Sequence, residues 1–321
     1  MTVRRLLFFL ARRLIVFALL LVAISFVVFS LLYIAPGSAV DAVLGIKPRT
    51  PETVAALTHE YHLDKSFFGQ YWIWAKEAAQ LHFGNSIETS LPVSQVIKSR
   101  LGTSLFLGLY AFVLTAALGL SLGIVSTMRR RTTLDRGIVA GTIVGLSMPT
   151  FVSCVLLLYV FAVVLRWFPA FGKGAGFFDE LWHLTLPAVA LALVGAAFVL
   201  KNTRAAMIGV IDQDYVTFAR ARGLSGPRVL LTYVLRNALI PVVTISALIL
   251  SFVITGAVVV EVAFSVPGIG GLLIQAANTK DLPMMQGVAM LVAAVIMGAN
   301  LLADVVYFAI DPRIRLRPGT R

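Results

Sequence analysis

At 321 residues, with 59% hydrophobic and only 13% charged residues, the chain lies far from the composition of soluble globular domains, in which about a quarter of residues are charged. Its mean hydropathy is +0.92, and several apolar stretches of about 20 residues predict repeated membrane crossings. One cysteine, Cys154, excludes a disulfide framework and a thiolate metal cluster. The net charge of +12 does not indicate nucleic-acid binding, because the positive charges are concentrated on alternate polar segments between the apolar stretches.

Charge is distributed unevenly among the polar segments between the apolar stretches. The N-terminus, residues 128–136, residues 201–238 and the C-terminal tail together carry 18 Lys and Arg but 4 acids, whereas residues 36–100, 166–185 and 265–283 carry 9 of each. Cytoplasmic loops of membrane proteins are enriched in Lys and Arg. The pattern predicts that both termini and residues 201–238 are cytoplasmic, which requires an even number of spans.

Six apolar stretches satisfy that requirement. In chain order they are Leu14–Ile34, Leu101–Thr127, Gly137–Leu165, Leu186–Leu200, Leu239–Phe264 and Met284–Ile310. Pro149 is expected to bend the third span, because proline removes one backbone hydrogen bond from a helix, and Lys201 is expected to end the fourth. The sequence therefore predicts an all-α polytopic membrane protein with six transmembrane helices.

The largest polar region outside these spans, residues 36–100, follows Pro36-Gly37, which is expected to end the first helix. Within it, Tyr71, Trp72 and Trp74 predict a short helix at the membrane surface, where aromatic rings concentrate. We interpret the region as an ordered extracytoplasmic cap.

The chain is thus expected to comprise three parts. Residues 1–35 form an N-terminal arm and the first span, residues 36–100 form the cap, and residues 101–321 form a core of five spans. The core includes the loop at 201–238 and the cytoplasmic tail.

The most strongly patterned polar segment is Asp212 to Pro241. Asp212 and Asp214 offer side-chain oxygens for a helix N-cap, and Tyr215, Phe218, Ala219 and Arg222 then recur at helical spacing on one expected face. Gly223 is expected to end this first helix.

A second helix, from Arg228 to Ala238, is expected to follow Ser225-Gly226-Pro227, since proline is tolerated in a first turn. The result is a helix–Gly–helix hairpin with aromatic side chains between arginines. A solvated hairpin that merely closes a long loop is one interpretation; docking of the helix into a groove of another protein is the other, and the aromatic residues favour it.

Two ionisable residues lie inside predicted spans, where a charge is costly and usually faces a cavity or a partner. Glu261 is either a functional group or a residue at the interface in contact with water. Asp304, four residues after Asn300, is either a pore residue or part of an interhelical hydrogen bond. Together with Ser147 and Pro149 at the expected bend, these two acids are the candidate pore or gating residues.

Motifs for catalysis are missing from the sequence. It has no phosphate-binding G-x-x-x-x-G-K-[ST] loop and no nucleophile elbow. His59 and His62 are three residues apart, but no further ligands converge on them in sequence, so no metal site is predicted.

The segment DYVTFARARGLSGPRVLLTYVLRNALIPVVT resembles the cytoplasmic "EAA" coupling loop of ABC importer permeases, in the version found in the oligopeptide, dipeptide and nickel transporter family. The motif positions matched are Tyr215, Ala219, Arg220, Ala221, Gly223, Arg236-Asn237-Ala238 and Pro241. Further matches along the chain are Leu63-Asp64, Gln70-Tyr71, Phe83-Gly84-Asn85-Ser86, Pro149-Thr150-Phe151, Phe168-Pro169-Ala170, Glu261 to Phe264, Pro267-Gly268-Ile269-Gly270 and Asp311-Pro312-Arg313.

The large region after the first span is similar to the B-type subunit of such a permease pair. Where the family often has Pro-Gly-Asp-Pro after this span, the chain has Pro36-Gly37-Ser38-Ala39. The Glu of the broader EAA pattern is replaced near Thr217, as is usual in this subfamily.

The resemblance implies a type I ABC importer permease, half of a translocation pore in a bacterial inner membrane, with a peptide as the expected substrate. Its implied partners are a second, C-type permease, two cytoplasmic ATPase subunits and an extracytoplasmic binding protein; ATP and Mg are bound by the ATPases, and no cofactor or nucleic acid is bound by this chain. The residues implied to couple to an ATPase are Asp214, Tyr215, Phe218, Ala219, Arg220, Arg222 and Gly223.

Two other function classes compete with this interpretation. A stand-alone secondary transporter or channel requires an ionisable relay or an inverted repeat, and neither is evident in the sequence. A membrane enzyme requires an acid–base constellation, which the sequence also does not provide.

Overall fold

The computed structural model describes residues 3–34, Val40, Leu44 and residues 49–310; within this range, the side chains of residues 3–10, 34, 60, 240, 241, 243–248, 250, 251, 303 and 306–310 are not described. The predicted helix break at Pro36-Gly37 and the matched Asp311-Pro312-Arg313 lie outside the described residues, and so do the side chains of Arg4, Arg5 and Pro241.

The described chain is built from helices, as the sequence predicts. In chain order they are α1 (Val3–Ile34), α2 (Pro51–Glu60), α3 (Phe67–Ala79), α4 (Val93–Met128), α5 (Thr133–Ser147), α6 (Thr150–Leu157) with a π-helical continuation π1 (Leu158–Val164), α7 (Phe177–Ile211), α8 (Asp214–Ala221), α9 (Gly226–Val229) with a π-helical continuation π2 (Leu230–Leu235), α10 (Arg236–Ala263), α11 (Ile269–Asn278) and α12 (Leu282–Ile310).

Four described helices, α1, α4, α7 and α12, are long and apolar enough to cross a membrane. A fifth crossing results if α5 and α6–π1, which meet at an angle of 110°, form one broken span. The described apolar part of α10, Phe252–Ala263, is shorter. The protein is therefore a multi-pass membrane protein, and the number of six spans remains a prediction.

The third predicted span is broken rather than bent. Met148 and Pro149 both adopt extended backbone conformations, with ψ of 121° and 140°. A residue before proline is disfavoured in the α region, so α5 ends at Ser147 and a new helix begins at Thr150. Sequence reasoning located the position and underestimated the angle.

The helix that contains the fourth predicted span, Leu186–Leu200, is longer than that span, and the prediction that Lys201 ends it is wrong. Helix α7 begins at Phe177, with Asp179 and Glu180 in its first turn, where acids are favourable, and continues past Lys201 to Ile211. Lys201 is exposed and leaves the helix intact, while Thr203 and Met207 remain buried beyond it.

Two further boundaries differ from the sequence prediction. Helix α4 begins at Val93, eight residues before the expected Leu101. Ile269, expected in a loop, begins the short helix α11, whose Ile269 and Leu272 are buried against α4 and α12 residues. The aromatic segment of the cap does form the expected helix, α3.

The chain divides into two compact units, which are described separately. One comprises Met1–Ser104 and Pro267–Gly298, and the other comprises Leu105–Val266 and Ala299–Arg321. The second unit contains an extensive apolar core contributed by α4, α6, α7 and α10. The division into 1–35, 36–100 and 101–321 remains a prediction.

In the second unit, α4 and α7 cross at very close range because glycines line the contact. A Cβ atom added to Gly119 would lie 2.5 Å from Cβ of Val199, and one added to Gly123 would lie 2.8 Å from Cβ of Thr203. Gly195 faces Thr115 in the same way, with 2.8 Å to its methyl group. Small residues permit such approach between membrane helices.

We expect Gly119→Ala to destabilise the protein by about 2 kcal/mol, because the added methyl group overpacks this crossing and forces the two helices apart. The matched control is Gly108→Ala on the same helix, where no atom lies within 4 Å of an added Cβ. The measurement is thermal or denaturant unfolding of the purified protein in detergent. Equal stability of the two variants would contradict the close crossing.

Candidate functional site: a helical hairpin at the end of the bundle

Between α7 and α10 the chain forms a helical hairpin, Asp214–Val229, built from α8, a glycine turn and α9. Helix α8 begins after Gln213, which has the extended conformation of an N-cap residue but no capping side-chain bond. The prediction that Asp212 or Asp214 caps this helix is wrong. Asp212 is the C-cap of α7, and Asp214 is the first residue of α8, where its charge complements the helix N-terminus.

The end of α8 is fixed by Gly223, as the sequence predicts. Its φ of +76° lies in the left-handed region, which favours glycine. The Gly223 N–H donates to the Arg220 carbonyl over 2.9 Å, and the Leu224 N–H donates to the Ala219 carbonyl over 3.3 Å. These two bonds form a Schellman motif, which satisfies carbonyls that the helix end would otherwise leave unpaired.

After the turn, α9 begins at Gly226 behind Ser225, with Pro227 in its first turn. The predicted second helix therefore forms, although it begins two residues early and its middle, Leu230–Leu235, is π-helical. The path from α9 through π2 into α10 is helical throughout. A displacement of the hairpin is consequently transmitted along a continuous helical backbone to the long helix α10.

A small apolar core attaches the hairpin to α7. It consists of Met207 from α7, Val216 and Ala219 from α8, Val229, Val234 and Ala238. Val216 and Ala219 define the buried face of α8. The predicted common face of Tyr215, Phe218, Ala219 and Arg222 is therefore divided, since only Ala219 among them points inward.

The outer face of α8 carries the aromatic side chains. Tyr215 is 42% exposed and Phe218 is 69% exposed. The predicted site residues Asp214, Arg220 and Arg222 are exposed beside them. Large apolar side chains among charges, on a helix whose other face is already packed, are available for contact with another protein.

Below the hairpin, an ion pair joins three helices. Arg204 of α7 makes two parallel bonds to the carboxylate of Asp135 in α5, with Nε 3.2 Å from Oδ1 and Nη2 3.1 Å from Oδ2. The Ser126 hydroxyl of α4 donates to Oδ1 over 2.6 Å, and the Arg131 N–H donates to Oδ2 over 3.0 Å. Bidentate arginine–carboxylate pairs are both strong and directional.

This cluster also organises the start of α5. Thr132 is its N-cap, and its hydroxyl accepts from the Asp135 N–H over 3.3 Å. On the surface nearby, Arg130 lies 3.7 Å from Asp212 at the end of α7. Exposed pairs of that kind contribute little, whereas the nearly buried Asp135 depends on its donors.

The Asp135–Arg204 pair is not evident from the sequence. The available signal was that Asp135 is the one acid among four arginines in residues 128–136. Its partner, 69 residues away, could not be identified from the sequence.

We expect Arg204→Met to lower the unfolding temperature, because it leaves the Asp135 carboxylate without its cation. The double variant Arg204→Met/Asp135→Leu should recover part of the loss, since no uncompensated charge remains. Thermal unfolding of the four proteins in one detergent forms the double-mutant cycle. Additive losses would show that the two side chains act independently.

Gly223→Ala should destabilise the hairpin by about 1 kcal/mol, because alanine is strained at a positive φ. No atom lies within 4 Å of an added Cβ, so the penalty is conformational rather than steric. Gly226→Ala is the control: it also has open space, and its φ is not in the left-handed region. Hydrogen exchange of the hairpin amides measures the effect; similar exchange in the two variants would contradict it.

The predicted pore residues lie on three different parts of the second unit. Ser147 and Pro149 flank the break between α5 and α6 and are exposed. Glu261 in α10 is only 1% exposed, so the interpretation of this residue as an interfacial side chain in contact with water is wrong. Asp304 in α12 is half-buried. Their roles in a pore remain predictions.

A group of three or more His, Cys, Asp or Glu side chains suited to a metal does not occur in the described part of the chain. His59 and His62 have ring centroids 6.5 Å apart.

Two family models match the chain. Residues 119–316 match "Binding-protein-dependent transport system inner membrane component", and residues 6–108 match the N-terminal part of such membrane components. The first match contains the entire hairpin, the Asp135–Arg204 pair and the four candidate pore residues.

Curated relatives have similar length. A putative peptide transport system permease protein of Brucella abortus is 38% identical over 270 residues, covering 83% of this chain and 86% of the relative. The oligopeptide transport system permease protein AppB of Bacillus subtilis is 37% identical over 261 residues, covering 79% and 83%.

Among solved structures, an inward-facing MetNI methionine ABC transporter contains a chain that aligns with a TM-score of 0.56 at 16% identity, covering 68% of this chain and 97% of that one. A chain of an amino acid ABC transporter aligns with a TM-score of 0.53 at 16% identity, covering 67% and 94%. At this identity the likeness establishes the fold, which is that of ABC importer permeases.

Proposed function

Since the chain belongs to the binding-protein-dependent transport system inner membrane components, we propose that it is the permease subunit of an ATP-driven peptide importer in which the hairpin Asp214–Val229 receives force from an ATPase. The observation that carries the coupling role is the exposed pair Tyr215 and Phe218 on a helix whose inner face is packed into the bundle. The peptide class is supported by the names of relatives that are 37–38% identical to this chain over the aligned residues.

In this proposal the chain forms half of a translocation pore and hydrolyses no ATP itself. Its partners are a second, C-type permease, two cytoplasmic ATPases that bind ATP and Mg, and an extracytoplasmic binding protein that selects the peptide. Both termini and the hairpin are cytoplasmic, in keeping with the excess of Lys and Arg on those segments.

The transmission of force follows from how the hairpin is attached. Its core residues Val216 and Ala219 pack on Met207 of α7, while π2 continues into α10. Helix α7 is in turn locked to α4 and α5 by the Asp135–Arg204–Ser126 cluster. A displacement of α8 therefore moves α7 and α10 directly, and α4 and α5 with α7, as rigid-body coupling requires.

Truncation of the exposed aromatic pair provides the test. Tyr215→Ala and Phe218→Ala should each weaken binding of the ATPase about tenfold, because aromatic anchors account for much of the energy of an interface. Thr217→Ala, exposed between them on the same helix, should bind normally. Binding is measured by copurification of the ATPase, and function by ATP-dependent peptide uptake in proteoliposomes.

Membrane insertion and the unfolding temperature should be unchanged in all three variants, because neither aromatic side chain is buried in this chain. Normal copurification and uptake in the double variant Tyr215→Ala/Phe218→Ala would refute the coupling role. Accumulation of solute against a gradient by this chain alone would instead indicate a secondary transporter.

A further inference from the structure

Helix α3, in the unit formed by Met1–Ser104 and Pro267–Gly298, packs against the membrane-spanning part of α1. Phe67 of α3 lies edge-on to Phe26 and Phe29 of α1, with ring centroids 5.7 and 5.5 Å apart. The ring centroid of Tyr71 lies 5.3 Å from that of Phe26 and 5.6 Å from that of Phe29. The contact is therefore made by a dense group of aromatic rings.

A hydrogen bond anchors this contact at a defined depth. The Tyr71 hydroxyl lies 2.9 Å from the Ser25 hydroxyl, which itself donates to the Val22 carbonyl over 2.8 Å. The Tyr71 hydroxyl also lies 3.4 Å from the Val22 carbonyl, so each of the two hydroxyl protons has an acceptor within this contact. Both polar groups are satisfied without water, as a membrane interior requires.

The depth follows from helix geometry. The uncharged apolar run of α1 is Leu14–Ile34, and Ser25 lies nine residues before its end, about 14 Å along the axis. Phe29 and Phe26 lie about 8 and 12 Å from that end. A hydrocarbon layer of about 30 Å has a half-thickness of about 15 Å. The residues of α1 that α3 contacts therefore lie within this apolar run and not at its end.

Beside this contact face, α3 carries an apolar stripe that is exposed among the described residues. Phe68 is 72% exposed and Trp72 is 61% exposed, and the two are four residues apart on one stripe of the helix. Phe68 stacks beside Phe26, which is itself 38% exposed on α1. The surface therefore continues the exposed apolar face of α1, which the lipid of the bilayer contacts.

One turn further, the stripe changes from apolar to cationic. Lys76 places its ammonium group 5.4 Å from the centroid of the Trp72 ring. Lysine side chains lie along apolar surfaces while their charge remains in a hydrated or anionic environment. The stripe Phe68–Trp72–Lys76 therefore presents two exposed aromatic rings and one cation, which suit the acyl chains and the phosphate of a phospholipid.

We propose that α3 is embedded in the leaflet at the C-terminal end of α1 and that its Phe68–Trp72–Lys76 stripe binds phospholipid, with acyl chains on the aromatic rings and a headgroup phosphate near Lys76. The inference concerns a different surface from the hairpin and does not depend on its role. It assigns a lipid-binding surface to a segment that its length and polarity place outside the spans.

The test uses spin labels on the full-length chain in phosphatidylcholine nanodiscs, both alone and in the assembled transporter. One label is attached at Phe68→Cys and the control label at Gln80→Cys, which is exposed at the polar end of the same helix; the native Cys154 is buried. Oxygen concentrates in lipid, whereas a nickel chelate remains in water. Oxygen should therefore increase the spin relaxation rate of the label at position 68 more than the nickel chelate does, and the nickel chelate should have the larger effect at position 80.

Two results would overturn the proposal. Stronger relaxation by the nickel chelate at position 68 would place α3 in water, and protection from both reagents in the assembled transporter would identify a protein, rather than lipid, as the occupant.

A second measurement leaves Phe68 intact. In the variant Trp74→Phe/Trp167→Phe/Trp182→Phe, phosphatidylcholine brominated on its acyl chains should quench the fluorescence of Trp72, and aqueous acrylamide should not. The reverse pattern would refute the lipid assignment even if Phe68→Cys failed to insert.

Discussion

The bidentate bond between Arg204 and Asp135 holds together the end of the bundle where the hairpin begins. It brings a charge on α7 to a carboxylate on α5, and Ser126 adds α4 to the same cluster. Without this bond, α7 would remain in contact with α4 through the glycine crossing, but the orientation of α5 would no longer be fixed by a directional interaction. The hairpin can transmit a movement to the bundle only if α4, α5 and α7 move together.

The hairpin itself combines a rigid attachment with an exposed contact surface. Its inner side chains, Val216 and Ala219, are small and buried, whereas its outer ones, Tyr215 and Phe218, are large and exposed. Backbone bonds of the Schellman turn at Gly223 and packing of Leu224 on the small apolar core hold α8 against α9. A partner that binds α8 therefore displaces α7 and α10 through separate connections.

What the sequence predicts well in this chain is local. The glycine at position 223, the proline at position 149 and the apolar runs each act through their own backbone or their own neighbours, so the hairpin, the helix break and most spans could be identified. The features that the sequence predicts poorly depend on contacts between residues that are far apart in the chain. The continuation of α7 past Lys201 is stabilised by buried Thr203 and Met207, and the partner of Asp135 lies 69 residues away.

Helix α3 illustrates why composition alone does not determine depth in a membrane. Its sequence, with Gln70, Lys76 and Glu77 among aromatic residues, is that of a surface helix. In the structure the polar groups are accommodated locally: Gln70 donates to the Lys65 carbonyl and accepts from Tyr33, and Tyr71 bonds to Ser25. Once those groups are paired, the cost of placing the helix within the leaflet falls, and the aromatic contact with α1 decides its position. The two charged residues then lie at the end of the helix, where an ammonium and a carboxylate can remain hydrated.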